Sequence, residues 1–251
     1  MTGFRTLFYK EVLRFYKVML QTVLAPMVTT LLYLLVFAHA IGGHVQVYGQ
    51  VDYRSFLIPG LIMMSIIQNA FANSSSSLIQ SKVAGNIVFV LLAPLSYLEF
   101  YAAFVSAAVL RGLLVGLGVY LAASPFADLP MHSPFFIAVF AILGGGILAT
   151  LGIIAGIWAE KFDQLASFQN FVVLPLTFLS GVFYSLHSLS SFWQGMSHLN
   201  PLFYMIDGFR YGFFGISDVS PVASLIVALG FLAALVAVTL FILKRGYRLR
   251  H

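Results

Sequence analysis

The sequence predicts an all-α membrane protein with six transmembrane helices, on the evidence of its composition and of six long apolar stretches. Hydrophobic residues make up 61% of the 251 residues and charged residues only 8%, and the mean hydropathy is +0.98. A soluble domain carries about a quarter charged residues, because water must wet its surface. Lipid is therefore the solvent that this composition fits.

Six stretches have the length of a membrane span. A helix needs about 20 mostly apolar residues to cross roughly 30 Å of hydrocarbon. Stretches of this kind are 18–41, 55–75, 97–122, 133–158, 165–186 and 222–243. We find no separate soluble domain, so residues 1–251 are predicted to form a single transmembrane domain.

Lysine and arginine are distributed unevenly between the two sides of this arrangement. If the N-terminus is cytoplasmic, only Arg54 and Arg210 lie on the outer side, and Arg111 lies within the third span. The cytoplasmic side then holds Arg5, Lys10, Arg14, Lys17, Lys82, Lys161, Lys244, Arg245, Arg248 and Arg250. Because positive residues favour the cytoplasmic side, both termini are predicted to be cytoplasmic. The positive residues form no stripe of the kind that binds nucleic acid, although the isoelectric point is 9.5.

Residues 1–17 are predicted to form an amphipathic helix. Apolar side chains recur at helical spacing at Phe4, Phe8, Val12, Phe15 and Met19, and the opposite side carries Lys10, Arg14 and Lys17. Such a helix is suited to lie in the cytoplasmic interface, with its basic face toward anionic headgroups. A plain positively charged anchor is the alternative interpretation. A cleaved signal peptide is not indicated, because the apolar stretch that follows is long enough to span.

Residues 187–219 are predicted to be re-entrant, although they lie outside the six spans. The segment is aromatic and apolar, and it is interrupted by Gly195, Pro201, Gly208, Gly212 and Gly215. A water-exposed loop would not carry this apolar load, and the breaks rule out a seventh span. Short helices that dip into the outer leaflet and bury their backbone against protein fit better.

Polar residues within the spans are the candidates for a translocation path or gate. Arg111 lies near the middle of the third span, where no Asp or Glu lies at matching depth, so its expected partners are amides, backbone carbonyls or a charge at a span end that it reaches by snorkelling. Asn69 and Asn73 share a face of the second span, as Asn170 and Thr177 do in the fifth. Interhelical hydrogen bonding is the alternative role for all five residues.

Recognisable enzyme motifs are missing from the sequence. It contains no GxxxxGK[ST] phosphate loop, no HExxH and no GxSxG, and none of its spans holds a pair of carboxylates. It has no cysteine, which excludes thiolate metal sites and cysteine nucleophiles. Asp207 and Arg210 with His198 form the remaining group for an intramembrane lipid- or glycan-modifying enzyme, and an ATP-independent channel is a third possibility.

Several ordered motifs resemble the permeases of type-2 ATP-binding-cassette exporters, which include polysaccharide, lipo-oligosaccharide and drug exporters. The segment from Leu174 to Leu186 carries the resemblance together with Phe192-Trp193-Gln194, Leu199-Asn200-Pro201-Leu202-Phe203-Tyr204 and Asp207-Gly208-Phe209-Arg210-Tyr211-Gly212. Pro59-Gly60 in the second span, Leu91-Leu92-Ala93-Pro94 before the third and Arg111-Gly112 within it agree. The resemblance covers nearly the whole chain.

The resemblance implies a division of labour in a bacterial inner membrane. A cytoplasmic ABC ATPase, in two copies, would bind and hydrolyse ATP, and two permeases would form the path for a glycan-, lipid- or drug-like substrate. The chain itself would be neither an enzyme nor a binder of a cofactor. Residues 78–95 would contain the coupling helix that contacts the ATPase, with Asn86, Leu91, Leu92, Ala93 and Pro94 at the contact. Family members often carry acidic residues before this motif, whereas residues 85–90 here are uncharged, so we expect an apolar docking surface.

Overall fold

The computed structural model describes residues 2–40, 46–49 and 51–246. Within them the chain is helical, as predicted, apart from one hairpin of the two-residue strands β1 (Gln46–Val47) and β2 (Val51–Asp52). The α-helices are α1 (Thr2–Tyr16), α2 (Met19–Ala40), α3 (Tyr53–Val83), α4 (Ile87–Leu92), α5 (Tyr97–Ala123), α6 (Pro134–Trp158), α7 (Phe162–Phe168), α8 (Leu174–Phe178), α9 (Ser191–His198), α10 (Pro201–Phe214) and α11 (Pro221–Arg245). Residue 41, at the end of the first predicted span, and the predicted cytoplasmic residues Arg248 and Arg250 lie outside the described residues.

Five of these helices are long and apolar enough to cross a membrane: α2, α3, α5, α6 and α11. They correspond to the first, second, third, fourth and sixth predicted spans. The second span was predicted over residues 55–75, and α3 itself continues to Val83. The hydroxyls of Ser74 and Ser75 donate to carbonyls of the preceding turn, at Ala70 and Phe71, so the serine run stays helical instead of ending the helix.

The fifth predicted span is not confirmed as a full span. Helix α7, a π-helical turn (Gln169–Val173) and α8 follow one another without a break from Phe162 to Phe178, which gives about 25 Å of helix by the helical rise. The prediction extended this helix to residue 186. The helix ends earlier, at Phe178, and the turn that follows it contains Gly181, whose φ of +76° only glycine adopts readily. The prediction of six spans is therefore confirmed for five helices only.

Helix α3 is the centre of the fold and packs most extensively against α6 and α5. Glycines allow these helices to approach closely. A Cβ atom on Gly112 of α5 would lie 2.8 Å from the carbonyl oxygen of Ile66, and one on Gly152 of α6 would lie 2.7 Å from that of Phe71. Small residues at helix contacts are typical of membrane bundles. Helices α2 and α11 lie outside this core, and few of their described side chains are buried.

Candidate functional site

Two ends of the bundle carry different polar features. The end with α1 and α4 is called the α4 end, and the opposite end, with the β hairpin, α9 and α10, is called the hairpin end. Helix α1 lies along the first half of α5, where Gly3 contacts Leu95 and the ammonium of Lys10 lies 6.0 Å from the ring centre of Phe104. The predicted position of α1 in the membrane interface stays a prediction.

Helix α4 holds the predicted coupling residues at the α4 end. Its first residue, Ile87, is buried, whereas Phe89 and Leu92 are 73% and 77% exposed. Asn86, Ala93 and Pro94 line a groove of about 600 Å³ between α4 and α1. The side chain of Leu91 lies outside the described part of the structure. The exposed surface of α4 is therefore apolar, as expected from the uncharged sequence before it.

Lys82 joins the last turn of α3 to the end of α6. Its ammonium donates to the carbonyl oxygens of Ile157 (2.8 Å) and Ala159 (2.6 Å), and to that of Gly156 at 3.4 Å. These are carbonyls at or near the helix C-terminus, where a positive charge is favourable. Sequence reasoning counted Lys82 only as a cytoplasmic charge, and nothing in its local sequence pointed to α6 as its partner.

Arg111 forms a buried polar junction with α3 and α1. Its Nη1 and Nη2 atoms lie 3.3 Å from Asn73 Oδ1 and 3.5 Å from Asn69 Oδ1. Arg14 of α1 donates to the same Asn73 Oδ1 at 2.8 Å and to the Asn73 carbonyl at 2.7 Å. The fully buried carboxylate of Glu11 accepts from Arg14 Nε at 3.3 Å. The structure thus brings three of the predicted path residues together and adds Arg14 and Glu11, which the sequence did not assign to a site.

A polar cavity of about 200 Å³ lies between α2 and α3, next to this junction. Asn69 belongs to both, and Gln68, Ser65, Thr29 and Tyr33 also line the cavity. Because the hydroxyls of Thr29 and Ser65 donate to carbonyls of their own helices, their oxygens are left as acceptors toward the cavity. The cavity can therefore accept hydrogen bonds from a polar ligand.

The other two predicted path residues, Asn170 and Thr177, do not lie together on one face toward this junction. Asn170 is exposed, whereas Thr177 is buried and donates to the Val173 carbonyl of its own helix. The π-helical turn between them contains more residues per turn than an α-helix, so a spacing of seven no longer places them on one face. The prediction that Asn170 and Thr177 share a face of one helix therefore does not hold in this structure.

At the hairpin end, Asp207 and Arg210 of α10 are fully buried. Arg210 donates from Nη2 to the Gly181 carbonyl at 2.8 Å, and its guanidinium lies 3.8 Å from the ring centre of Phe56. The Asp207 carboxylate accepts from the backbone N–H groups of Asp218 (2.8 Å) and Val219 (3.0 Å). Burial raises the pKa of the Asp207 carboxyl to about 6, against the opposing effects of these N–H groups and of Arg210.

A second carboxylate at the hairpin end was missed by the sequence reasoning. Asp218 accepts from the hydroxyl of Ser185 at 2.5 Å and from the Leu186 N–H at 3.0 Å. These two bonds join the segment after α8 to the segment before α11. The connections on either side of α9 and α10 are therefore held to one another. The sequence did offer one signal for this role, because Asp218 is the one charged residue in the connection between α10 and α11.

Asn200 connects the segment 187–219 to the end of α8. Its side chain caps α10 by accepting from the Leu202 N–H at 3.0 Å, and its amide donates to the Leu176 carbonyl at 2.6 Å. Pro201 is the first residue of α10, where the missing N–H has no consequence. Most of α10 is buried against α6, α11 and α3.

Helix α9, in contrast, exposes its aromatic residues. Phe192 and Trp193 are 68% and 47% exposed, and Tyr204 on α10 donates to the His198 carbonyl at 3.0 Å. Asp207 and Arg210 are enclosed by protein, whereas the ring of His198 packs on Phe203 and Tyr204. Among the described residues, these three side chains form no open cluster of the kind a lipid-modifying enzyme requires, and no group of His, Asp and Glu could hold a metal ion.

Comparisons with known proteins identify the family. The profile of the ABC-2 type transporter family matches residues 2–214. The chain belongs to the ABC-2 type transporter family. It is 40% identical to the inner membrane transport permease YadH of Escherichia coli K12 over 246 residues, which cover 98% of this chain and 96% of YadH. It is also 22% identical to Nodulation protein J of Neorhizobium galegae over 227 residues, 90% of this chain and 85% of that protein.

Family membership fixes the general role of the chain. An ABC-2 permease is a transport subunit of the membrane and not an enzyme, as the sequence predicted. The chain is therefore a multi-pass inner membrane protein, in keeping with its five long apolar helices.

Proposed function

We propose that this ABC-2 permease is the membrane subunit of an exporter driven by a separate cytoplasmic ABC ATPase. Two permeases and two ATPase subunits form the complex, and the path lies between the permeases. The chain crosses the membrane six times, with the helix from Phe162 to Phe178 as the fifth crossing and both termini in the cytoplasm. The resemblance and the charge bias support this arrangement.

The exposed apolar surface of α4 carries the proposal of an ATPase contact. Phe89 and Leu92 expose most of their surface at the end of the bundle that also carries Lys82, where lipid would not cover them in the predicted topology. Short segments connect α4 to α3 and α5, so a displacement of α4 is passed to both. Lys82 extends this connection to α6. ATP-dependent movement of the partner would in this way reach the helices around the polar junction.

A charge on this surface tests the ATPase contact. Leu92→Asp places a carboxylate at a residue that is 77% exposed, and Met131→Asp is a control at an apolar residue that is 52% exposed in the connection between α5 and α6. The permease is co-expressed with a tagged ABC ATPase of the same organism and purified through the tag. We expect Leu92→Asp to lose co-purification and ATPase stimulation in proteoliposomes, because a buried unpaired charge weakens an apolar interface. Met131→Asp should retain both.

The opposite pattern would contradict the assignment. If Leu92→Asp is recovered in wild-type amounts and stimulates the ATPase normally, α4 is not the contact. If both variants lose the ATPase, the loss is not specific to α4 and the experiment does not support the contact.

The position of α9 and α10 in the outer leaflet is part of the same proposal. The sequence has no cysteine, so single cysteines at Phe192 or Tyr204 can be labelled without background. We expect partial protection from a water-soluble maleimide relative to a cysteine at the exposed residue Asp128. Labelling of both as fast as at Asp128 would contradict the re-entrant position.

The substrate class rests on the resemblance alone, which favours glycan-, lipid- or drug-like molecules. Asn69, Asn73 and Arg111 are the residues proposed to line the path or gate, because they are polar groups adjoining a cavity within the bundle. Asn170 and Thr177 remain proposed path residues on one condition. The second permease must bring its exposed Asn170 to the same cavity.

A further inference from the structure

The junction of Arg14 and Arg111 has more positive charge and more donors than it has acceptors. Two guanidinium groups converge on one neutral amide oxygen, Asn73 Oδ1. The ion pairs among the described residues give Arg14 the carboxylate of Glu11, shared with Lys10, and give Arg111 none. Like charges that share a neutral oxygen repel one another, and burial strengthens the repulsion.

Unsatisfied donors point in the same direction. In the described part of the chain, Arg111 Nε, Asn73 Nδ2 and Gln68 Nε2 are buried without a hydrogen-bond partner. All three are N–H donors on α3 or α5 beside the same junction. Buried polar groups are almost always satisfied, and an excess of donors around two cations is satisfied by an anion with several acceptor oxygens.

The depth of the junction suggests which anion is available. Counting from Tyr53 at the hairpin end, Asn73 lies about 30 Å along α3, which is the thickness of the hydrocarbon core. Asn73 is thus at the level where hydrocarbon meets the headgroups of the leaflet at the α4 end. The side chain of Arg14 is 24% exposed there, so the junction is open to its surroundings. Lipid phosphates occupy this level of a bilayer.

We propose that Arg14 and Arg111 bind the phosphate group of an amphiphile in the leaflet at the α4 end. The phosphate oxygens accept from both guanidinium groups and from Asn73 Nδ2, and they supply the negative charge that Arg111 lacks. The amphiphile is either an anionic phospholipid of the membrane or a phosphate-bearing lipid-linked substrate. The site needs the membrane location of the chain but does not depend on ATP-driven export.

Lipid-dependent thermal stability of the purified chain tests the site. The protein in neutral detergent is titrated with phosphatidylglycerol or, separately, with phosphatidylcholine, and melting is followed by size exclusion. We expect wild type to melt higher with phosphatidylglycerol. Arg14→Gln and Arg111→Gln should weaken the apparent affinity for phosphatidylglycerol about tenfold or more, as the loss of a charged hydrogen bond implies. Lys17→Gln removes an exposed charge of the same region and should change the affinity less than about twofold.

Asn73→Asp tests the same site by adding a negative charge. It keeps both arginines, so the result does not depend on whether the fold tolerates the loss of one. The new carboxylate supplies the missing charge within the protein, so this variant should melt higher than wild type without added lipid and should lose the effect of phosphatidylglycerol. Full retention of the phosphatidylglycerol effect in Asn73→Asp would overturn the proposal. So would a loss in Lys17→Gln as large as in Arg111→Gln, because the effect would then be general surface charge.

The source of the phosphate is distinguished by two further arms. Inorganic phosphate and glycerol 3-phosphate should not replace phosphatidylglycerol at equal concentration, and equal stabilisation by either would overturn the choice of an amphiphile. Native mass spectrometry of wild type extracted from membranes should show a bound phosphate-bearing amphiphile that Asn73→Asp lacks. A phospholipid mass identifies a resident lipid and a heavier lipid-linked mass identifies a substrate, whereas no such mass on wild type overturns the site.

Discussion

Replacing Gly152 by alanine should separate α3 from α6, because the two helices are in backbone contact at this residue. The added Cβ would lie 2.7 Å from the Phe71 carbonyl oxygen and would also clash with the hydroxyl of Ser74. Carbon and oxygen ordinarily approach no closer than about 3.3 Å. The helices must therefore move apart by about 0.6 Å, since a backbone carbonyl within a helix cannot turn away.

The expected loss follows from three contributions. Overpacking costs about 1–3 kcal/mol, and the shift weakens the bond from Ser74 Oγ to the Ala149 carbonyl, 2.8 Å long, by about 1 kcal/mol. The higher helix propensity of alanine offsets about 1 kcal/mol. The net destabilisation is about 2 kcal/mol, equivalent to a melting temperature about 5 °C lower for a chain of this size.

Gly230→Ala is the matched control for this experiment. Gly230 lies in α11, and a Cβ there would meet nothing within 4 Å, so the same substitution should leave the melting temperature unchanged or slightly higher. Both variants are purified in the same detergent and their melting is followed by fluorescence-detected size exclusion. Equal melting temperatures for Gly152→Ala and Gly230→Ala would refute the claim that close backbone contact holds α3 against α6.

Three further outcomes follow from single polar contacts. Lys82→Met should lower the melting temperature by the equivalent of about 1–2 kcal/mol, since charged bonds to the end of α6 are lost, whereas Lys244→Met, at an exposed lysine, should not. Asn200→Ala should lower it similarly and Asn200→Ser less, because serine keeps the cap on α10 and loses only the bond to Leu176; equal losses would contradict this. The raised pKa of Asp207 stabilises the fold at low pH, and this contribution declines as pH rises through about 6. Wild type should therefore gain more melting temperature than Asp207→Asn between pH 7 and pH 5, and equal gains would show that burial does not raise this pKa.

Long apolar helices were predictable because their signal is local. Five of the six predicted spans correspond to helices that length and hydropathy define. The end of the fifth was not predictable in this way, because Gly181 looks like any other glycine in an apolar stretch and only its φ of +76° shows that the helix has ended.

Residues that act across the bundle were only partly predictable. The lack of acidic residues in the spans indicated that Arg111 would use amides, and Asn69 and Asn73 accept from it. Arg14 was assigned to the basic side of α1, which was predicted to face anionic headgroups, because a helical wheel places it opposite the apolar residues. It turns inward to Asn73 instead, since the whole of α1 packs against α5 and even Glu11 is buried. A wheel describes one helix and contains no information on its neighbours.

The bonds of Asp207 set an order for the biogenesis of the protein. Helix α10 is synthesised before the N–H groups of Asp218 and Val219 that satisfy its carboxylate, and before α11, against which it packs. A buried arginine and aspartate cannot be left in lipid without partners. Helix α11, being apolar on nearly all sides, can insert by itself as soon as it leaves the ribosome. With the proposed re-entrant placement, we therefore expect segment 187–219 to reach its final position last, after the helix that follows it in the chain.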